Sequence, residues 1–202
     1  MPINGHELAR MTDLTMIDQL ATKADMEALI ANAKKYDTWV AVGLKCYVPM
    51  LVEGLKGTNT MVITGCSSRQ GSDALETKIS AAKWYIGLGI GEMETFMNYS
   101  YFKSKMYDEV VKDIRAIKDV VGDMTYKVIL ETPQFNDEEL KIACELCIDG
   151  GADFVKTGTG TLGATDVHTI EVISKALKGR AKIKASGGIR TLETVDATDR
   201  KS

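Results

Sequence analysis

Short runs rich in β-branched and apolar residues alternate along this chain with longer stretches whose apolar positions recur every three to four residues. The short runs lie near Met11–Thr15 and over Thr38–Cys46, Thr60–Gly65, Glu92–Asn98, Tyr126–Thr132, Asp153–Gly158 and Lys182–Ser186. Bounded by Gly, Asn and Asp, they read as strands. The longer stretches cover Lys23–Tyr36, Asp73–Leu88, Lys105–Val121, Asp137–Asp149 and Asp166–Leu177, with a further short turn of helix at Pro49–Leu55. Their spacing is that of amphipathic helices.

A βαβα series predicts a parallel sheet with right-handed crossovers. Seven strand candidates in one series fit a (β/α) barrel or a doubly wound sheet. The second needs a glycine-rich fingerprint after an early strand, and the residues after Thr60–Gly65 are Cys66-Ser67-Ser68-Arg69-Gln70-Gly71. The barrel also accounts for the ionisable residues Glu94, Glu131, Lys156 and Lys184 near the C-terminal ends of strands, the end that faces the active site in barrels. The reading is therefore an α/β, TIM-type barrel, one domain over residues 1–202. Such barrels run to about 250 residues, with about 200 as the lower limit. After Gly188 no room remains for the rest of a helix, an eighth strand and its helix. The barrel is expected to stop before its eighth strand, with an incomplete last unit.

Composition narrows the function more than the fold. At 202 residues, 45% hydrophobic and 26% charged, the chain is ordinary globular material. No apolar run approaches the ~20 residues of a membrane span, and Met1–Arg10 lacks a signal pattern. A cytoplasmic protein without a membrane partner is expected. Acids number 28 and bases 25, with no Lys/Arg stretch that would mark a nucleic-acid footprint. Two histidines, His6 and His168, argue against a His-based triad or a multi-histidine metal site. Cys144 and Cys147 form a C-x-x-C without a second pair to complete a zinc site. At i and i+3 of a helix they read as two buried positions.

The chemistry concentrates in the last two strands. Alternation puts Phe154 and Lys156 on one face of the sixth. A lysine at the end of a buried parallel strand is costly unless paired or used. It reads equally as a Schiff-base lysine or as one snorkelling to the barrel mouth. Lys184, at comparable height on the seventh strand, favours the first, because neighbouring ammonium groups disfavour each other's charged form. A Schiff-base lysine must be neutral to attack, and with a pKa near ~10.4 only about one in 10³ is neutral at pH 7. Gly187-Gly188 and Thr157-Gly158-Thr159-Gly160 follow these strands, offering bare N–H groups to an anion. Glu92, Glu94 and Asn98 share a parity on the fourth strand. A carboxylate there would shuttle a proton through water or neutralise the lysines. Asp13-Leu14-Thr15 adds a polar pair at the first strand.

Three runs carry a resemblance: Lys127-Val128-Ile129-Leu130-Glu131-Thr132, Ala152-Asp153-Phe154-Val155-Lys156-Thr157-Gly158-Thr159-Gly160, and Lys184-Ala185-Ser186-Gly187-Gly188-Ile189-Arg190-Thr191. Together they resemble the 2-deoxyribose-5-phosphate aldolase family, and weaker similarity reaches back through Glu92–Ser100, Cys46 with Pro49, and Asp13–Thr15. The resemblance implies a metal-free class I aldolase on a (β/α)₈ barrel, needing no cofactor beyond its own lysine. Its small-molecule partner would be an aldehyde or sugar phosphate, 2-deoxy-D-ribose 5-phosphate interconverting with acetaldehyde and D-glyceraldehyde 3-phosphate. Lys156 then matches the Schiff-base lysine and Lys184 the second lysine of a proton relay. Thr157, Thr159, Gly160, Gly187 and Gly188 fall in segments lining the substrate and its phosphate, and Asp13 and Thr15 match polar residues at the mouth.

Three departures stand out. The family's relay aspartate aligns with Glu94, whose extra methylene moves the carboxylate by roughly a bond length, and ~1 Å of misplacement can cost ~10² in rate. The family's eighth strand carries a serine-containing phosphate loop, whereas the tail Asp196–Ser202 looks unlike that continuation. The segment between Gly65 and Asp73 also departs from the pattern. These leave two alternatives: a family member acting on another hydroxy-aldehyde or keto substrate, and a non-catalytic chain acting as an assembly subunit. An open seven-stranded barrel exposes two strand edges, which favours association into a homo-oligomer.

Overall fold

Seven strands run in chain order around a curled, all-parallel sheet: β1 (Asp13–Thr15), β2 (Val40–Val42), β3 (Met61–Gly65), β4 (Glu92–Phe96), β5 (Thr125–Ile129), β6 (Phe154–Lys156) and β7 (Lys182–Lys184). The computed structural model describes residues 4–199, with the backbone alone at residue 199. The sequence readings that touch Met1–Ile3 and Arg200–Ser202 lie outside the described residues. Helices α2 (Lys23–Tyr36), α3 (Val48–Leu55), α4 (Leu75–Leu88), α6 (Tyr107–Val121), α7 (Asp137–Gly150) and α8 (Val167–Leu177) connect successive strands, and α9 (Leu192–Asp199) follows β7. This is the TIM-type α/β architecture, stopping at seven strands among the described residues. Among the described residues β1 pairs only with β2 and β7 only with β6.

Side-chain caps satisfy the first N–H groups of several of the helices. Thr22 with Asp25 opens α2 and Asn136 with Glu139 opens α7, both as reciprocal capping boxes, and Asp166 caps α8. Two short helices escape the periodicity because each spans little more than a turn: α1 (Gly5–Ala9), with an Asn4–Glu7 capping box, and α5 (Tyr99–Lys103), capped by Asn98. The strands are shorter than the apolar runs predict. β2 stops at Gly43, where a Cβ would sit 2.6 Å from Leu51 and 2.9 Å from Met26. The chain then turns through a 3₁₀ segment, Lys45–Tyr47, into α3.

Alternation along the strands separates two interiors. Ala41, Val62, Met93, Tyr126, Val128 and Val155 face outward into the main core, against Met26, Leu51, Ile114 and Ile173 of the helices. Cys144 and Cys147 belong to this core as free thiols on α7, and burial pushes Cys144 up to about 12. Within the curl of the sheet, Val40, Val42 and Ile63 form a small apolar cluster with Met61 and Ile17. The inner faces of β1 and β4–β7 carry charge instead. Among the described residues, no helix is long and apolar enough to cross a membrane.

Candidate active site

Parallel register fixes which side chains meet inside the barrel. Lys156 on β6 is level with Lys184 on β7 and Ile129 on β5, and Lys127 on β5 is level with Glu94 on β4 and Phe154 on β6. The charged groups on these inner faces resolve into two sets. Lys156 Nζ lies 2.7 Å from Glu94 Oε2, with the two side chains 9% and 10% exposed. In the second set Asp13 is the junction: Lys184 Nζ lies 2.7 Å from its Oδ1 and Lys127 Nζ 3.3 Å from its Oδ2. Lys127 also reaches Glu92 Oε2 at 2.6 Å, and Trp39 Nε1 donates to Glu92 Oε1 at 2.8 Å. Lys184 further donates to the Met11 carbonyl at 2.8 Å.

These contacts set the protonation states. Burial pulls the Lys156 pKa down, but Glu94, Asp13 and Glu92 outweigh it, and the net shift is upward. For Lys184 burial dominates; Asp13 opposes it while Lys127 and Lys156 reinforce it, and the pKa falls. The Asp13 carboxyl is raised by burial but lowered more by Lys184, Lys127 and Lys156, so it ends below its ordinary value. In the resting protein the Lys156 pKa is thus raised, not depressed as two level lysines predict. The depressed lysine is Lys184, because Glu94 lies against Lys156 and holds its charge.

A cavity of about 1250 Å³ opens over these groups. Asp13, Thr15, Glu94, Lys156, Thr159, Lys184, Gly187 and Gly188 all line it. Thr157, which is buried, and Gly160, which is exposed, do not line it. The Thr157 hydroxyl donates to the Ser186 carbonyl at 2.7 Å and accepts from the Ser186 N–H at 2.9 Å, tying the β6 and β7 ends together. Gly160 lies against Gly187, where a Cβ on Gly160 would come within 3.1 Å of the Gly187 Cα. Both have positive φ, as does Gly188, so glycine permits both the turn and the close approach of the two loops. Glu131, itself at φ 51°, accepts from the Thr159 N–H and hydroxyl at 3.1 and 2.6 Å and so fixes the β6 loop. Asn98 does not join Glu92 and Glu94: β4 ends at Phe96, and Asn98 turns to cap α5.

The sequence reading missed Lys127 as a member of the site. Its signal was a lone lysine within the apolar run Tyr126–Ile129, inward by parity. Among the described residues no group of three or more His, Cys, Asp or Glu side chains is arranged to hold a metal ion.

No family model matches the chain. The deoxyribose-phosphate aldolase of Finegoldia magna is 35% identical over 188 residues, covering 93% of this chain and 88% of that protein. That of a Thermoanaerobacter species is 36% identical over 194 residues, covering 94% and 87%. A crystal structure from Coccidioides immitis, assigned as a deoxyribose-phosphate aldolase, superposes with a TM-score of 0.95 at 32% identity, over 100% of this chain and 81% of the other.

Proposed function

This chain belongs to the deoxyribose-phosphate aldolase family, and from that premise we propose that it cleaves 2-deoxy-D-ribose 5-phosphate, reversibly, to D-glyceraldehyde 3-phosphate and acetaldehyde through a Schiff base on Lys156. The observation that carries the reading is one contact: the Lys156 ammonium, at the C-terminal end of a barrel strand and inside the cavity, 2.7 Å from the Glu94 carboxylate.

That contact supplies the first proton transfer. Glu94 takes the Lys156 proton as the amine attacks the aldehyde carbon, then passes it to the departing hydroxyl, which leaves as water. The product is a protonated imine, and Glu94 is again a carboxylate. It accepts the proton of the 3-hydroxyl as the bond between carbons 2 and 3 breaks, with the iminium as electron sink. Glyceraldehyde 3-phosphate leaves, carbon 2 of the enamine takes the proton back, and water releases acetaldehyde from Lys156. The extra methylene of Glu94 suits this role, since it brings the carboxylate to the amine itself. Lys184, level with Lys156 on the adjacent strand and with its pKa lowered, is the second proton-exchanging group of the site. The Gly187-Gly188 loop, which lines the same cavity after β7, offers its backbone N–H groups to the phosphate, and Thr159 lines the wall beside it. The iminium serves as the electron sink, so this chemistry calls for no metal and no cofactor.

Borohydride reduction in the presence of acetaldehyde, followed by peptide mass spectrometry, tests the reading. The expected result is an adduct on Lys156, lost in Lys156→Ala together with turnover. Retained turnover in that variant would sink the proposal.

A further inference from the structure

The segment between β3 and α4 departs from the family pattern in sequence and is braced by hydrogen bonds from four sides of the structure. Cys66-Ser67-Ser68-Arg69-Gln70-Gly71 leaves β3 one residue after Gly65, which is level with Glu94. The Gly71 N–H closes a tight turn on the Ser68 carbonyl at 3.0 Å. Ser67 Oγ accepts from the Phe96 N–H and the Thr95 hydroxyl, both at 3.0 Å, and Lys45 Nζ donates to the Ser67 carbonyl at 2.5 Å. Asp73 accepts the Ser68 N–H at 2.6 Å. From below, Lys78 donates to the Gly71 carbonyl at 2.6 Å while ion-paired to Asp113, a wholly buried lysine holding this turn. Arg69 projects from the turn and lines the cavity that holds Lys156.

Arg69 has no ion-pair or hydrogen-bond partner among the described residues. The three carboxylates lining the cavity, Asp13, Glu92 and Glu94, are already matched by Lys127, Lys156 and Lys184. A guanidinium on a pre-organised turn at a cavity wall, without a protein anion, is a receptor for a planar anion on a ligand. Its position says which one. Arg69 follows β3 on the Glu94 side of the site; Gly187 and Gly188 follow β7, four strands further round the sheet. With a phosphate at the glycine loops and the carbonyl carbon at Lys156, the group reaching toward Arg69 is the other substituent of that carbon. In an aldehyde that substituent is hydrogen. In a 2-oxo acid it is a carboxylate.

We infer that this site also takes a 2-oxo acid as aldol donor, with Arg69 holding its carboxylate. The inference rests on the Schiff-base reading of Lys156. The amine condenses with the ketone carbon and releases water. Loss of a proton from carbon 3 to Glu94 gives the enamine, whose carbon 3 bonds to the acceptor aldehyde carbon while the acceptor oxygen takes the proton. Hydrolysis then frees a 4-hydroxy-2-oxo acid and regenerates Lys156.

The test is borohydride trapping on the full chain with pyruvate and, separately, acetaldehyde, comparing wild type with Arg69→Gln by mass spectrometry of the Lys156 peptide. Wild type should give the pyruvate adduct, and the ratio of pyruvate to acetaldehyde adduct should fall about tenfold or more in the variant, the loss of one charge-assisted contact. An acetaldehyde adduct without a pyruvate adduct, or an unchanged ratio, overturns the inference and leaves the aldolase reading standing. A pyruvate adduct alone upholds the inference and overturns acetaldehyde as donor. No adduct on Lys156 from either overturns both.

Discussion

Replacing Glu94 by glutamine separates the two tasks assigned to this side chain. At 2.7 Å and an effective dielectric of ~20, a full ion pair attracts by about 6 kcal/mol before desolvation is counted. That attraction leads the carboxylate effects that hold the Lys156 pKa above its ordinary value against the opposing effect of burial. Glutamine keeps the volume and loses the charge. Burial and the neighbouring lysines then act against Asp13 and Glu92 alone, and the Lys156 pKa moves down. More of the amine is neutral at pH 7, so acetaldehyde trapping should persist with its pH profile displaced toward acid. Turnover should nonetheless fall by about 10²–10⁴-fold, because no carboxylate takes the hydroxyl proton. The assay pairs trapping yield with steady-state cleavage across the pH range. A trapping profile that stays in place or moves toward alkali would refute the electrostatic argument. A turnover loss below about threefold would refute the proton-transfer role.

Three further outcomes follow from the buried charges and the braced turn. Lys127→Met leaves Asp13 and Glu92 short of a cation and should cost about 3–5 kcal/mol of stability, read from chemical denaturation; a loss under about 1 kcal/mol would show that the interior charges are solvated. Asp13 has a folded pKa below its ordinary 3.8, so its stabilisation is complete above that value and disappears as pH falls through the folded one. Urea midpoints taken from about pH 5 down to about pH 2 should fall more steeply for wild type than for Asp13→Asn, and parallel slopes would contradict the assignment. Gly71→Ala would place a Cβ 2.3 Å from the Met97 carbonyl oxygen at φ +66°; a cost of about 2–5 kcal/mol is expected, and a neutral result would mean the turn is not held as described.

Much of this architecture was legible because its signals are local. The order of strands and helices follows from two periodicities, and Lys156 and Lys184 stand out as charges where a buried parallel strand should have none. Strand ends were less legible because they depend on packing. The run Thr38–Cys46 keeps its apolar character past Val42, but Leu51 and Met26 crowd Gly43 and the chain turns there. The same limit applied at β4, where parity grouped Asn98 with Glu92 and Glu94 although the strand had already ended. Site membership that depends on partners was harder still. Thr157 reads as a substrate-facing hydroxyl in a threonine- and glycine-rich loop, but only the fold shows Ser186 facing it. Lys127 becomes meaningful only when Asp13, 114 positions away in the chain, lies 3.3 Å from its ammonium.

Lys184 shows why pairwise reasoning from sequence reaches the right residues and the wrong balance. Two lysines level on adjacent strands do repel, and each disfavours the other's charge. What decides the outcome is where the three carboxylates fall, and β1 and β4 deliver them unequally. Glu94 lies directly against Lys156. Asp13 is shared between Lys184 and Lys127, so Lys184 has part of one counter-ion where Lys156 has nearly the whole of another. Lys184 also reaches across the unladdered side of the sheet from β7 to the Met11 carbonyl just before β1. The lysine whose proton is held less firmly thus also links the two strand edges. A Lys184→Met change would remove a proton-exchanging group and a tie across that seam together, whereas Lys184→Arg retains the tie with a cation that does not deprotonate. Cleavage activity lost in both variants, with stability lost only in Lys184→Met, is the pattern this geometry requires.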